Sequence, residues 1–345
     1  MSEPRRRTAA RLAAVLTLVV GLLAGCVSRE SGSGAQEAPA TVPLSELSDV
    51  TLQIGDQKGG TESLLRAAGV LNDLPYKVVF STFTSGPPQV EAATAGKIDF
   101  AITGNTPPIF GAAANAKIKV VTAYENGGDG DRILVHADSP IKTVADLRGK
   151  SVAVGKGSSA HGNILAQLQK AGLTPDDVKL VFLQPADALS AFKSGQADAW
   201  AIWDPYTAQA EQQVPVRSIA QATGVTNGAG FGIASDATLA DPKRNSALGD
   251  LLVRYAKATR WAQDHPDEWA RSYGTAVGLE LPVATVAQGR SLRASTALSD
   301  GLISSEQKLA DLFAETKQIA SAPKFADWVD HRYDDALKPF FSNTN

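Results

Sequence analysis

The chain has one cysteine, one methionine, four histidines and only 6% aromatics among its 345 residues. A single thiol excludes an internal disulfide. The histidines, at positions 136, 161, 265 and 331, lack metal-ligand spacing, so neither a metal nor another cofactor is expected. Gly157-Ser-Ser-Ala-His161 is not a Gly-x-Ser-x-Gly nucleophile elbow. Asp129-Gly-Asp131 starts like a calcium loop but lacks the remaining ligands. No catalytic residue is therefore assigned. There is no basic tract either. The formal charge is −3, and losing residues 1–25, with four arginines and one glutamate, leaves −6. An acidic chain of this kind is not expected to bind nucleic acid.

What is present begins with a leader. Arg5-Arg6-Arg7 precede an apolar stretch, Leu12 to Leu22, too short to span a bilayer. Leu23-Ala24-Gly25-Cys26 then looks like a bacterial lipobox, in which cleavage precedes the cysteine and its sulfur takes a lipid. The alternative is a plain signal peptide with a chance cysteine. On the lipobox reading, residues 1–25 are a signal peptide and Cys26 is the lipid attachment. The protein is then exported and held on the outer face of the cytoplasmic membrane by that anchor alone. Residues 26–48 are small and polar, as a flexible tether should be.

The body repeats itself with a period near one hundred residues. Thr51-Leu-Gln-Ile-Gly55 and Ser151-Val-Ala-Val-Gly155 are alternating strands that run through a Gly- or Ser-rich turn into a helix. Each helix stops near a glycine, Gly69 or Gly172. A second strand and helix follow, then Gly96-Lys-Ile-Asp99 or Gly195-Gln-Ala-Asp198 ahead of another apolar strand. Alternating strands and helices predict two doubly wound α/β lobes, with ligands beyond the carboxyl ends of the strands. From about Ala247 the chain reads as amphipathic helices without a motif, expected to clad the first lobe.

Six phrases carry a resemblance: Gln57-Lys-Gly-Gly60, Phe83-Thr-Ser-Gly-Pro-Pro88, Ile102-Thr-Gly-Asn-Thr-Pro-Pro-Ile-Phe110, Ser139-Pro-Ile-Lys-Thr-Val-Ala-Asp-Leu-Arg-Gly149, Gly157-Ser-Ser-Ala-His161 and Gln196-Ala-Asp-Ala-Trp-Ala-Ile-Trp-Asp-Pro-Tyr206. Together they resemble the aliphatic-sulfonate-binding proteins of bacterial ABC importers. The resemblance implies a type II periplasmic-binding-protein fold with two crossing hinge strands, near Ile133–His136 and Phe231–Ala234. It implies lobe 1 at 49–134 and 233–345 and lobe 2 at 135–232. It also implies capture of a small anion such as an alkanesulfonate, delivery to a permease with its ATPase, and a monomeric protein. Taurine, nitrate and thiamine-precursor binders share the superfamily, as do pyrimidine-precursor synthases. Those enzymes use a reactive histidine and a cysteine-rich motif, and here the sole cysteine is spent on the lipobox.

A sulfonate stays ionised near neutrality and only accepts hydrogen bonds, so its pocket should offer donors. Ser158 and Ser159, at the start of a helix whose first N–H groups point outward, suit that requirement, or serve only as caps. Gln57 lies at the matching strand end of the other lobe. Ser85 and Gly86 open the next helix there, and Asn105 ends a strand at the cleft; each has a purely local alternative. His161 is expected to act as a neutral donor, because a helix N-terminus disfavours its protonated form. Trp203 could wall an alkyl tail. Asp204 suits a ligand with a distal amine, or pairs with a cation, or caps the helix that begins at Pro205.

Overall fold

The computed structural model describes residues 39–342, so the leader, Cys26 and the first part of the tether lie outside the described residues. The rest of the tether is already packed. The Val42 N–H donates to Ser246 Oγ at 2.9 Å, and Leu47 is fully buried. The folded body thus begins ahead of residue 49.

The first half of the chain runs β1 (Thr51–Gln57), α1 (Gly60–Ala67), β2 (Lys77–Phe83), α2 (Gly86–Thr94), β3 (Phe100–Gly104), α3 (Thr106–Ala113) and β4 (Ile118–Glu125). The middle runs β5 (Arg132–His136), β6 (Ser151–Val154), α4 (Ser159–Lys170), β7 (Lys179–Phe182), α5 (Pro185–Lys193), β8 (Ala199–Ile202), α6 (Tyr206–Gln213) and β9 (Val216–Gln221). The chain ends with β10 (Ala229–Ser235), α7 (Asp236–Ala240), α8 (Pro242–Asp264), α9 (Pro266–Val277), α10 (Leu281–Arg290), β11 (Ala294–Thr296), α11 (Asp300–Glu315) and α12 (Asp334–Leu337). One sheet has the order β11-β4-β10-β3-β1-β2, the other β7-β6-β8-β5-β9.

The repeat is visible in this topology. In both sheets the first strand of the repeat pairs in parallel with the next two, β1 with β2 and β3, β6 with β7 and β8. In both, a strand outside the three-stranded unit then adds antiparallel, β10 beside β3 and β5 beside β8. The helices α1 and α4 are followed by Gly69 and Gly172 at φ of +68° and +70°, where a side chain would be strained. The shared Gly-x-x-Asp pattern acts as a staple. The Gln53 N–H donates to Asp99 at 2.7 Å, and the Ser151 N–H donates to Asp198 at 2.8 Å. Each aspartate also returns its own N–H to the carbonyl of the same residue. The pattern therefore locks the third strand of each unit to the first.

The crossings differ from the expectation. Ile133–His136 is paired along its length with β9 and in part with β8, and Phe231–Ala234 is held between β3 and β4. Residues locked on both edges cannot pass between sheets. The chain crosses at 126–131 and 222–228, where Gly127, Gly128, Gly224 and Gly228 all have positive φ. Apolar cores lie on both faces of the six-stranded sheet, and a third, around Trp200 and Phe192, fills the other lobe. Among the described residues no helix is long and apolar enough to cross a membrane.

Candidate functional site

Both sheets direct the carboxyl ends of their strands at one cavity of about 100 Å³. Lobe 1 contributes Gln57 from the end of β1 and Asn105 from the end of β3; the second lobe contributes Ser159 from the first turn of α4, with Trp203 and Asp204 beyond β8. The two sides touch at the floor. A side chain at Gly104 would place its Cβ 3.0 Å from that of Ser159. At the mouth, Ser85 and Thr84 hydroxyls donate to Gln184 at 3.2 and 3.3 Å, and Tyr206 Oη donates to the Thr84 carbonyl at 3.2 Å. The Lys58 ammonium lies 5.5 Å from the centre of the Tyr206 ring. The two lobes are thus joined by direct contacts beside the cavity.

Five of the expected residues line the cavity: Gln57, Asn105, Ser159, Trp203 and Asp204. Four do not. Ser85 is spent on Gln184 at the mouth, and Gly86 is pressed against Pro107. Ser158 is the cap of α4: its hydroxyl accepts from the His161 N–H at 3.4 Å and donates to the Gly155 carbonyl at 2.7 Å. His161 is fully buried among Phe110, Phe182 and Phe313, and its Nδ1 accepts the Gly157 N–H at 3.2 Å. Burial pushes its pKa down to about 3, with the Lys156 charge adding to the fall. It is neutral, but as a core residue rather than a donor in the cleft.

The donors that remain are well placed. Gln57 receives Gln89 Nε2 on its carbonyl oxygen at 3.4 Å, which leaves its own amide nitrogen for the cavity. The N–H groups of Ser159 and Ala160 find no acceptor among the described residues, as expected for the first turn of a helix. In lobe 1 the equivalent position is already filled: Asp56 is buried and accepts the Thr61 N–H at 2.8 Å. The start of α1 thus holds a protein carboxylate where the start of α4 leaves donors open.

The strongest feature is one the sequence did not reveal. Arg293, between α10 and β11, lines the cavity and donates to Tyr255 Oη at 2.9 Å, its guanidinium 4.9 Å from the centre of the Tyr124 ring. Burial opposes its charge, but the phenols of Tyr255 and Tyr124 outweigh that and hold it above the usual arginine range. It forms no ion pair with any carboxylate among the described residues. Trp269, Tyr273 and Gln288 line the same wall. The C-terminal helices are therefore more than cladding, since they supply the cation and one side of the site. They also reach the second lobe, where Val283 and Ala287 of α10 pack against Ala208 of α6.

Asp204 does not face the ligand as a free charge. Arg290 grips it through Nε at 2.9 Å and Nη2 at 3.1 Å, and it caps α6 by accepting the Ala208 N–H at 3.0 Å. Burial pushes its pKa up to about 6 against the pull of Arg290. Both local alternatives for this residue are realised together. Asp131 lines the cavity with no cation paired to it among the described residues. Burial pushes its carboxyl up to about 7, with the Ser159 hydroxyl pulling it down and Asp204 adding to the rise.

Comparison with known proteins bears on the family and the fold. Residues 83–269 match the family model described as NMT1/THI5 like. An aliphatic sulfonates-binding protein of Escherichia coli (strain K12) is 34% identical over 82% of this chain and 88% of its own length. A second, from Bacillus subtilis (strain 168), is 32% identical over 92% and 94%. The alkanesulfonate-binding protein SsuA of Xanthomonas axonopodis pv. citri, solved bound to MOPS, superposes with a TM-score of 0.75 at 29% identity, covering 85% of this chain and all of that one.

Proposed function

The chain belongs to the NMT1/THI5-like family, with the aliphatic-sulfonate-binding proteins, and on that premise we propose that it is the substrate-binding component of an ABC importer for aliphatic sulfonates. The observation that carries the ligand class is Arg293, a cation in the cavity without a carboxylate partner among the described residues. Its charge, the Gln57 and Asn105 amides and the open N–H groups of Ser159 and Ala160 form a donor set drawn from both lobes. That set fits an oxyanion which never protonates near neutrality. Trp203 and Trp269 give the tail an apolar wall. The protein binds and releases its cargo without chemistry, as a monomer, and hands it to a membrane permease. The lobes divide at the two linkers, 126–131 and 222–228. Lipidation of Cys26 anchors it to the outer face of the cytoplasmic membrane.

Asp131 favours a second reading of the same role. A carboxyl in the cavity with no cation paired to it among the described residues suits a ligand that carries an ammonium or hydroxyl away from its sulfonate, as taurine does. Nitrate has no tail to use the tryptophan wall. The test is a thermal-shift series on the mature chain with ethanesulfonate, longer alkanesulfonates, taurine, nitrate, sulfate and thiamine precursors. A ligand at one hundred times its Kd adds about 2.7 kcal/mol of stability. No shift with any sulfonate overturns the assignment, and a shift with taurine alone selects the second reading.

A further inference from the structure

Glu306 on α11 is fully buried, yet it has no cationic partner among the described residues. Its Oε2 accepts Asn227 Nδ2 at 2.6 Å, the shorter of two bonds from that nitrogen, the other going to Ser305 Oγ at 3.3 Å, while Oε1 has no partner among the described residues. Burial pushes its pKa up to about 8, so it is mostly protonated at neutral pH. A carboxyl in such a place is costly.

Its contact leads to the ligand site. Asn227 stands in the second linker, and its Oδ1 accepts two donors, Asn105 Nδ2 at 3.1 Å and the Ala229 N–H at 3.1 Å. Asn105 in turn accepts Thr106 Oγ1 on its own carbonyl oxygen at 3.0 Å. Each amide is therefore held at both ends. One hydrogen of Asn105 Nδ2 goes to Asn227, which leaves the other for the cavity the residue lines. A primary amide turned by 180° would show the anion an oxygen instead, and donor would become repulsion.

We infer that Glu306 is a positioning residue for the ligand site: it orients Asn227, and through Asn227 it keeps the Asn105 amide nitrogen turned to the bound oxyanion. The inference rests on the sulfonate reading above. It also ties the second linker to lobe 1 at the point where the site is built, so the cleft and its hinge share one chain of hydrogen bonds.

The experiment is calorimetric titration of ethanesulfonate into the full mature chain. Glu306→Leu, which removes the nearer acceptor, leaving only Ser305 Oγ, but keeps an uncharged side chain of similar bulk, should raise Kd about five- to tenfold, the worth of one well-made hydrogen bond. Glu306→Gln keeps an acceptor for Asn227 and should restore most of that affinity. In an Asn105→Ala background, Glu306→Leu should cause no further loss. A purely structural role predicts the opposite: the same additional loss with or without Asn105, and this overturns the inference. If Glu306→Leu does not fold, Asn227→Ala takes its place in the same cycle. Failure of the wild-type chain to bind ethanesulfonate would count against the sulfonate reading, and the positioning role is then judged without ligand. The Asn105 side-chain amide resonances should move in Glu306→Leu and not in Glu306→Gln. Unmoved resonances refute it.

Discussion

The two lobes are built from the same strand–helix unit, each stapled by an aspartate at the equivalent position, and yet only one of them keeps its helix start open. In lobe 1 the start of α1 is occupied by Asp56, a buried carboxylate on the Thr61 N–H. In lobe 2 the start of α4 is capped by the neutral Ser158, and the Ser159 and Ala160 N–H groups stay available. A helix N-terminus attracts an anion, but the anion can be the protein's own. Lobe 1 therefore supplies its positive charge from elsewhere, through Arg293 from the C-terminal segment. A duplicated fold unit has been divided into a dipole site on one side and a formal charge on the other.

Breaking the charged side should have the largest effect. Arg293→Met removes the cation while keeping an apolar stem against Tyr124. Kd for a sulfonate should rise about a hundredfold, near 2.7 kcal/mol for a charged hydrogen-bonding partner. Titration calorimetry reads this directly, and an affinity within threefold of wild type would return the anion to the α4 start alone.

The staples should separate next. Asp99 is buried and accepts from Gln53, from Thr238 Oγ1 at 2.6 Å and from Arg244 at 3.1 Å; Asp198 sits at a more exposed edge with Ser151 as its partner. Asp99→Ala should cost about 2 to 3 kcal/mol in denaturant unfolding, because three donors lose their acceptor, and Asp198→Ala about 1 kcal/mol. Equal losses would mean that burial does not distinguish the lobes.

A pH series sharpens the comparison further. Asp131, Asp204 and Glu306 have folded pKa values raised to about 7, 6 and 8 by burial. The native state then binds more protons than the unfolded chain between about pH 4 and 8, so their contribution is full at the acid end and declines as pH rises. Tm should fall across that window, against the opposing contribution of the buried neutral His161 below about pH 6.5. Asp131→Asn should flatten the fall between pH 4 and 7, and Glu306→Gln that between pH 5 and 8. A Tm that climbs steadily from pH 5 to 8 would contradict the sign.

The sequence carried the repeat, both lobes and five cavity residues because those rest on short-range patterns: strand alternation, glycine stops, residues at strand ends. Arg293 and Asp131 were not legible because a lone arginine in Gly289-Arg-Ser-Leu-Arg293 and a broken calcium-like loop have no local signature; tertiary packing brings them to the cavity. Arg290 hid for the same reason, and with it the answer to Asp204. His161 and Ser158 misled in the other direction. Their spacing fits a ligand contact and a helix cap equally well, and only the three surrounding phenylalanines and the Gly155 carbonyl decide for the interior.

The smallest effect tests that last distinction, and it opposes two adjacent serines. Ser158→Ala removes an N-cap and should lower stability by about 1 kcal/mol, with sulfonate affinity almost unchanged, since its hydroxyl is committed to Gly155 and to the His161 N–H. Ser159→Ala leaves the cap and the backbone N–H in place and should barely alter stability. It does remove the hydroxyl beside Asp131, which lowers that carboxyl's pKa. The carboxyl should then titrate at higher pH, and the affinity for a sulfonate should keep its acid-side value further toward neutrality, because an uncharged Asp131 does not repel the anion. Affinity measured at pH 6, 7 and 8 for both variants separates the roles: Ser158→Ala should follow the wild-type profile, and Ser159→Ala should be displaced to higher pH. Coincident profiles would leave Ser159 with its backbone N–H as its whole contribution to the site.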